Sequence, residues 1–243
     1  MRKVVVFLSV LVMGCAGEDG CFSKKGDPVL QTYGLAAFHT VDIPMNVSVE
    51  IVPDNKYMME IHSFENRIEA LSFNVKDSVL VVKNEVSCEM LKSYETAVLK
   101  IHTPTLKRID SRTQFRVFST QTLHFPNLYL LTSIPNEASA STSFDLKIDN
   151  NSIVVEDNQV GFFNLQGKTN LLDVQLYGAN GVVKARDLEA RAIKLYHRSN
   201  QNIELFPVSK IEGTIYSVGN AYLYHKPDTV NVSTLYTGKI YYK

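Results

Sequence analysis

Gln175-Leu176-Tyr177, Lys194-Leu195-Tyr196, Thr214-Ile215-Tyr216 and Thr234-Leu235-Tyr236 repeat one pattern: polar, branched aliphatic, tyrosine. Their aliphatic members fall 19, 20 and 20 positions apart. A recurring period of this length marks a solenoid, in which each turn of chain stacks on the last. Between the triplets lie turn-forming stretches, Gly178-Ala179-Asn180-Gly181, His197-Arg198-Ser199-Asn200 and Ser217-Val218-Gly219-Asn220. A second short β run follows each break: Val182 to Ala185, Ile203 to Phe206, Ala221 to Tyr224 and Ile240 to Tyr242. Short strands with corners in every turn describe an all-β, right-handed parallel β-helix with coils of about 20 residues. In that arrangement Leu195, Ile215 and Leu235 stack inside the rod. Neighbours on a strand point to opposite faces, so Tyr177, Tyr196, Tyr216 and Tyr236 form an exterior ladder.

Working back toward the N-terminus, the pattern stays β. Val41, Ile43, Val47, Val49 and Ile51 alternate with other residues around a break at Pro44, the period of strands with one buried face. Turn-formers such as Pro53-Asp54-Asn55 and Lys76-Asp77-Ser78 separate further runs. Glu65 to Leu71 reads as a helix of one or two turns, and Asn150-Asn151 suits a corner, since Asn tolerates left-handed geometry.

The first residues read differently. Arg2-Lys3 precede an apolar run from Val4 to Met13 that is too short to span a bilayer as a mature helix. It ends at Val12-Met13-Gly14-Cys15, which resembles a bacterial lipobox with a small residue before the cysteine. That resemblance implies a lipoprotein signal peptide over residues 1–14, a lipid on Cys15, and membrane attachment through it. The alternative is an ordinary secretory signal cut near Ala16 or Gly17. Residues 15–34 are mostly polar, carry Gly17, Gly20, Gly26, Pro28 and Gly34, and read as a flexible tether ahead of a solenoid domain over 35–243. An oxidising compartment allows Cys21 and Cys88 to pair; the alternative is two separate thiols.

The chain is also similar to a known family. It shares the order lipobox, Phe38-His39-Thr40-Val41-Asp42-Ile43, Asn66-Arg67-Ile68, Phe73-Asn74-Val75-Lys76-Asp77-Ser78-Val79-Leu80 and Leu99-Lys100-Ile101-His102-Thr103-Pro104-Thr105-Leu106, then β turns and a final aromatic strand. This order resembles the "putative auto-transporter adhesin, head GIN domain" family of Bacteroidetes surface or periplasmic proteins, across roughly residues 35 to 243. The resemblance implies an all-β solenoid in the cell envelope, at the outer membrane, with an adhesin-like role. It supplies no catalytic residues. The chain departs from the family's expected glycine- and serine-rich turns, with Thr237-Gly238 the glycine corner before the last strand.

The residues themselves point away from most chemistry. Twenty-five basic residues balance twenty-five acidic ones, which leaves no net positive field for nucleic acid. The six histidines show neither His-x-His nor His-x-x-x-His spacing, so no metal and no cofactor is expected. No nucleophile elbow or phosphate loop occurs. Glycoside hydrolysis needs two carboxylates about 5–10 Å apart; Asp145 with Asp149, or Asp157 with Asp173, are the pairs a coil would bring near each other. His197 and His225 read as surface histidines. The reading that follows is a non-catalytic, lipid-anchored envelope protein that binds a surface glycan or an envelope protein through the tyrosine ladder. A small β-helix carbohydrate-active enzyme and an envelope sensor or assembly component are the alternatives.

Overall fold

The computed structural model describes residues 26–85, 97–132 and 141–243. Strands take 68% of it and helix 2%, and the chain winds as a β-solenoid of about 6 turns with about 21 residues per turn. Residues 1–14, read above as a signal peptide, and Cys15, Cys21 and Cys88 lie outside the described residues.

In chain order the first strands are β1 (Pro28–Gly34), β2 (Thr40–Ile43), β3 (Val47–Pro53) and β4 (Met58–Phe64). The single-turn helix α1 (Glu65–Ile68) follows, where the sequence pattern placed a short helix. Then come β5 (Leu71–Lys76), β6 (Val79–Asn84), β7 (Ala97–Thr103), β8 (Arg108–Ser111), β9 (Arg116–Leu123) and β10 (Asn127–Thr132). Four long strands make the body: β11 (Thr142–Asp157), β12 (Gly161–Leu176), β13 (Val182–His197) and β14 (Ile203–Ile215). The last three are β15 (Ala221–Leu223), β16 (Thr229–Thr234) and β17 (Ile240–Tyr242).

Each long strand bends at a corner and serves two sheets. The first half of β11 pairs with β9, and its second half, from Ser152, pairs with β10. One sheet therefore runs β6, β2, β8, β10, the second halves of β11 to β14, and β16. The other runs β4, β7, β3, β9, the first halves of β11 to β14, β15 and β17. The corner in β11 falls at Asn150-Asn151, as read from sequence, but neither residue has a positive φ, so the bend is made without left-handed geometry.

Parallel register stacks the inward side chains in rows. Leu80, Val41, Ile109, Leu130, Val155, Val174 and Leu195 form one such row, all buried. Leu99, Val49, Val117, Phe144 and Phe163 form another, in which the two phenylalanine rings stack 5.2 Å apart. Burying a large aliphatic or aromatic side chain is worth about 1.5–3 kcal/mol, and these rows are the main favourable term holding the turns together.

The N-terminal end departs from a pure parallel helix. β1 pairs antiparallel with β4, β4 with β7, and β5 with β6. Asp77 and Ser78 join β5 to β6 at φ 51° and 61°, the two positive values a tight hairpin turn requires. β1 also corrects the tether: residues 28–34 are strand, not flexible linker. Its residues alternate between exposed and half-buried because successive side chains point to opposite faces, one toward solvent and one carrying Tyr33 against Phe73.

Candidate binding face

The tyrosine triplets do not stack as their spacing predicts. Val174 to Leu195, Leu195 to Gly213 and Gly213 to Val232 are the aligned positions, so these turns take 21, 18 and 19 residues. Leu195 therefore lies over Val174, whereas Leu176, His197 and Ile215 share the next inward row. A shift of two residues keeps a side chain on its own face, so Leu195 and Ile215 are both buried despite the offset. The last triplet slips by one. Thr234 pairs with Ile215, and Leu235 falls beside Tyr216, with its N–H bonded to the Ile215 carbonyl. Leu235 is accordingly 65% exposed, and Tyr236, at 67%, leaves the ladder.

The remaining three tyrosines do form a continuous aromatic row on the outside of the first sheet. The rings of Tyr177 and Tyr196 lie 4.8 Å apart, and those of Tyr196 and Tyr216 lie 4.4 Å apart. Tyr196 occupies the strand position of Gln175 and Thr214, two residues short of its partners. The row is thus a zigzag, which explains interplanar angles of 46° and 36° in place of flat stacking. The Tyr177 hydroxyl donates to Gln175 Oε1 at 3.2 Å, and Gln175 Nε2 donates to Asp173 Oδ2 at 3.1 Å. Burial first, then the neighbouring Glu156 carboxylate, raises the Tyr177 phenol above its ordinary value, so it stays protonated and neutral.

Beside the rings runs a shallow concavity of 320 Å³ lined by Asp173, Gln175, Tyr177, Lys194, Tyr196 and Glu212. Asp173, Lys194 and Glu212 occupy one row across three turns, alternating in sign. Lys210 holds Glu212 at 2.5 Å and, with Lys194, keeps that carboxyl below its usual range. The site thus offers aromatic faces, phenol hydroxyls and balanced charge.

The same outer face carries a further tyrosine that the repeat pattern of the C-terminal third does not include, aligned with Asp173. Tyr129 lies on β10, hydrogen-bonded to Glu156, with the Arg108 guanidinium 4.8 Å from its ring centroid. Leu128-Tyr129 is itself an aliphatic-tyrosine pair, a signal present in the sequence. Burial and the Glu156 carboxylate push the Tyr129 phenol upward, so it too stays protonated.

A second groove follows the corner of the solenoid. Concavities of 440 and 410 Å³ share Asp149 and Lys168 and extend to Glu189 on one side and to His124, Asn151 and Asn170 on the other. Asp149, Lys168 and Glu189 form one row, and Lys168 Nζ sits 3.5 Å from Asp149. The two acids are two rungs apart, about 10 Å by strand spacing, with the lysine between them. The carboxylate pairs read from sequence do not assemble. Asp145 accepts from Asn164 at 3.0 Å and stands four residues along the same strand from Asp149, about 13 Å in extended chain. Asp157 points inward, fully buried and bonded to Thr132, while Asp173 is on the outer face. Burial raises the Asp157 carboxyl above its usual range, opposed by Thr132 and the backbone of Gln159 and Gly161.

The histidines divide. His225 stacks on Phe206 at 5.3 Å and donates from Nδ1 to the Pro207 carbonyl at 2.9 Å. His197 is not a surface residue: it is wholly buried between Leu176 and Ile215, with neither ring nitrogen hydrogen-bonded. Among the described residues no group of three or more His, Cys, Asp or Glu side chains could hold a metal ion, and no helix is long and apolar enough to cross a membrane.

The fold is an extended parallel β-solenoid with an aromatic outer row. The family described as "Putative auto-transporter adhesin, head GIN domain" matches residues 37–227, and the chain belongs to it. Membership places the protein among adhesin-like proteins of the cell envelope or surface. Solved structures repeat the fold. A putative adhesin from Bacteroides fragilis superposes with a TM-score of 0.73 at 18% identity, covering 89% of this chain and 97% of that one. A putative lipid binding protein from Parabacteroides distasonis gives 0.65 at 13% identity, covering 90% and 97%. A putative adhesin from the same species gives 0.57 at 13%, covering 89% and 98%. No curated protein matches the sequence.

Proposed function

We propose that this protein is a non-catalytic, lipid-anchored binding protein of the bacterial outer membrane, and that its tyrosine row holds a surface glycan. The observation that carries the reading is the unbroken contact of Tyr177, Tyr196 and Tyr216 beside the 320 Å³ concavity. Partly exposed aromatic faces pack against the C–H faces of sugar rings, and the phenol, amide and carboxylate groups around them bond the hydroxyls. Affinity then comes from area and stacking, not from a closed pocket. The lipobox-like run ending at Cys15 supports anchoring.

A glycan array run with wild type and with the Tyr196→Ala/Tyr216→Ala variant tests the site. Binding lost by a variant that is still fully folded at the assay temperature supports it; binding lost only where the variant unfolds reduces the row to a structural role. Assay of the bound glycans for new reducing ends separates binding from hydrolysis, and release would favour the corner groove with Asp149 and Glu189 as an enzyme site. Replacing Cys15 with Ser and following fatty-acid incorporation tests the anchor; incorporation that persists would overturn it.

A further inference from the structure

The two ends of this solenoid are finished differently. At the N-terminal end the antiparallel strands fold together over the core: the Tyr33 ring of β1 meets the Phe73 ring of β5 edge-on at 4.9 Å, and Phe38 meets Tyr57 at 5.3 Å. At the C-terminal end the last rungs are β16 on one sheet and β17 on the other, and each is paired along one edge only, among the described residues. The inward rows run out into solvent there. Val230 ends the row of Leu128, Ile153, Leu172, Ile193 and Ile211 and is 40% exposed, whereas those five are buried. Tyr242 ends the row of Ala185, Leu205 and Leu223 and is 52% exposed. Exposed edges are ordinarily blunted by charge, proline or a bulge. Thr229–Thr234 and Ile240–Tyr242 hold no charged residue and no proline.

We infer that this end is an interface with a second copy of the same chain, joined tail to tail about a twofold axis, with β16 of each copy pairing antiparallel to β17 of the other. Any occupant must extend two sheets at once, at the angle set by the corner after β15, with apolar residues on the inner parity of both strands. An identical end meets all three demands. β17 is in register with β15, which runs toward that corner, and β16 runs away from it. A twofold axis through the corner therefore lays one strand on the other in opposite direction. Parity then limits the register, because a one-residue slip would turn every inner side chain outward. The pairing that keeps apolar with apolar sets Val232 beside Ile240 of the second copy and Val230 beside its Tyr242.

Charge selects this pairing over the other twofold arrangement. With β16 on β17, Lys243 of one copy falls beside Thr229 of the other and next to its Asp228, and Lys239 falls beside Ser233. With β17 on β17, Ile240 against Tyr242 would set Lys239 directly beside Lys243, and like charges opposite each other on paired strands are destabilising.

Sedimentation velocity of the purified protein across a concentration series tests the interface. Wild type is expected to pass from monomer to dimer. Thr229→Lys, an exposed outward position in register with Lys210 of its own copy, sets lysine against Lys243 of the other copy and is expected to hold the protein monomeric, with at most a small fall in melting temperature from the Lys210 neighbour. Adding Lys243→Glu to that variant turns both repulsions into attractions and is expected to restore the dimer. A wild type that stays monomeric throughout, a dimer indifferent to Thr229→Lys, or a double variant that remains monomeric would each overturn the inference. The first of these results would leave the edge to a strand from a different polypeptide.

Discussion

Mild acid should destabilise this protein through one side chain, His197. The imidazole occupies an inward position between Leu176 and Ile215, and a Cβ added at Gly219 would lie 2.7 Å from its Nε2, so the ring is packed on that side as well. Burial lowers its pKa from 6.5 to about 4, with the backbone of Gly219 and Gln201 opposing in part. The folded state therefore takes up the proton less readily than the unfolded chain. Stability from this group is complete above pH 6.5 and is lost progressively as pH falls toward 4. A tenfold difference in proton affinity between the folded and unfolded states is worth about 1.4 kcal/mol, so moving from about pH 7.5 to 4.5 should remove roughly 2–3 kcal/mol. Asp157 and Asp110 act oppositely, since burial raises both carboxyls. Their effect belongs to the carboxylate range, which leaves the upper part of the window to His197. In urea titrations at the two pH values, the midpoint should fall by about 1 M or somewhat more. His197→Leu continues the aliphatic row and should abolish most of that fall. An acid loss of the same size in His197→Leu, with the variant folded at neutral pH, would refute the argument.

The three aliphatic members of the tyrosine triplets should behave unequally. Leu195→Ala and Ile215→Ala should each cost about 2–5 kcal/mol in chemical denaturation, whereas Leu235→Ala, at an exposed position, should cost under about 0.5. Equal costs at all three would restore the simple twenty-residue stack. Gly213 sits at φ +139°, and a Cβ there would lie 1.9 Å from the Leu195 carbonyl oxygen, while at Gly34 nothing lies within 4 Å. Gly213→Ala should therefore lose upwards of about 3 kcal/mol and Gly34→Ala within about 1, read as shifts in melting temperature. Tyr196→Phe keeps both ring contacts and should melt like wild type. Tyr196→Ala removes two contacts worth about 0.5–1.5 kcal/mol each, and a melting temperature unchanged by it would show that the row contributes little to stability.

Where sequence pattern and structure part, the causes are identifiable. Alternation at period two survives an even shift, because such a shift leaves faces unchanged; Tyr177, Tyr196 and Tyr216 therefore share an outer face although their register departs from the twenty-residue stack. The one-residue slip at the last triplet is invisible in the pattern, since Thr234-Leu235-Tyr236 has the composition of its predecessors and differs only in which carbonyl its backbone meets. His197 reads as exposed because it follows a tyrosine in a turn-like stretch. Only the alignment of its strand with Leu176 shows that it points inward. Strand β1 is hidden by glycines and a proline that are common to linkers and to edge strands alike.

What the sequence determined alone is the class of fold and the alternation of inner and outer side chains within each strand, because both depend on local pattern and on a repeat carried by the chain itself. The tertiary structure decided which turns align, which tyrosines touch, where the two grooves open, and that, among the described residues, antiparallel strands cover one end while the last rungs of the other are exposed. Those outcomes depend on hydrogen bonds between residues about twenty positions apart, whose register no neighbouring residue encodes.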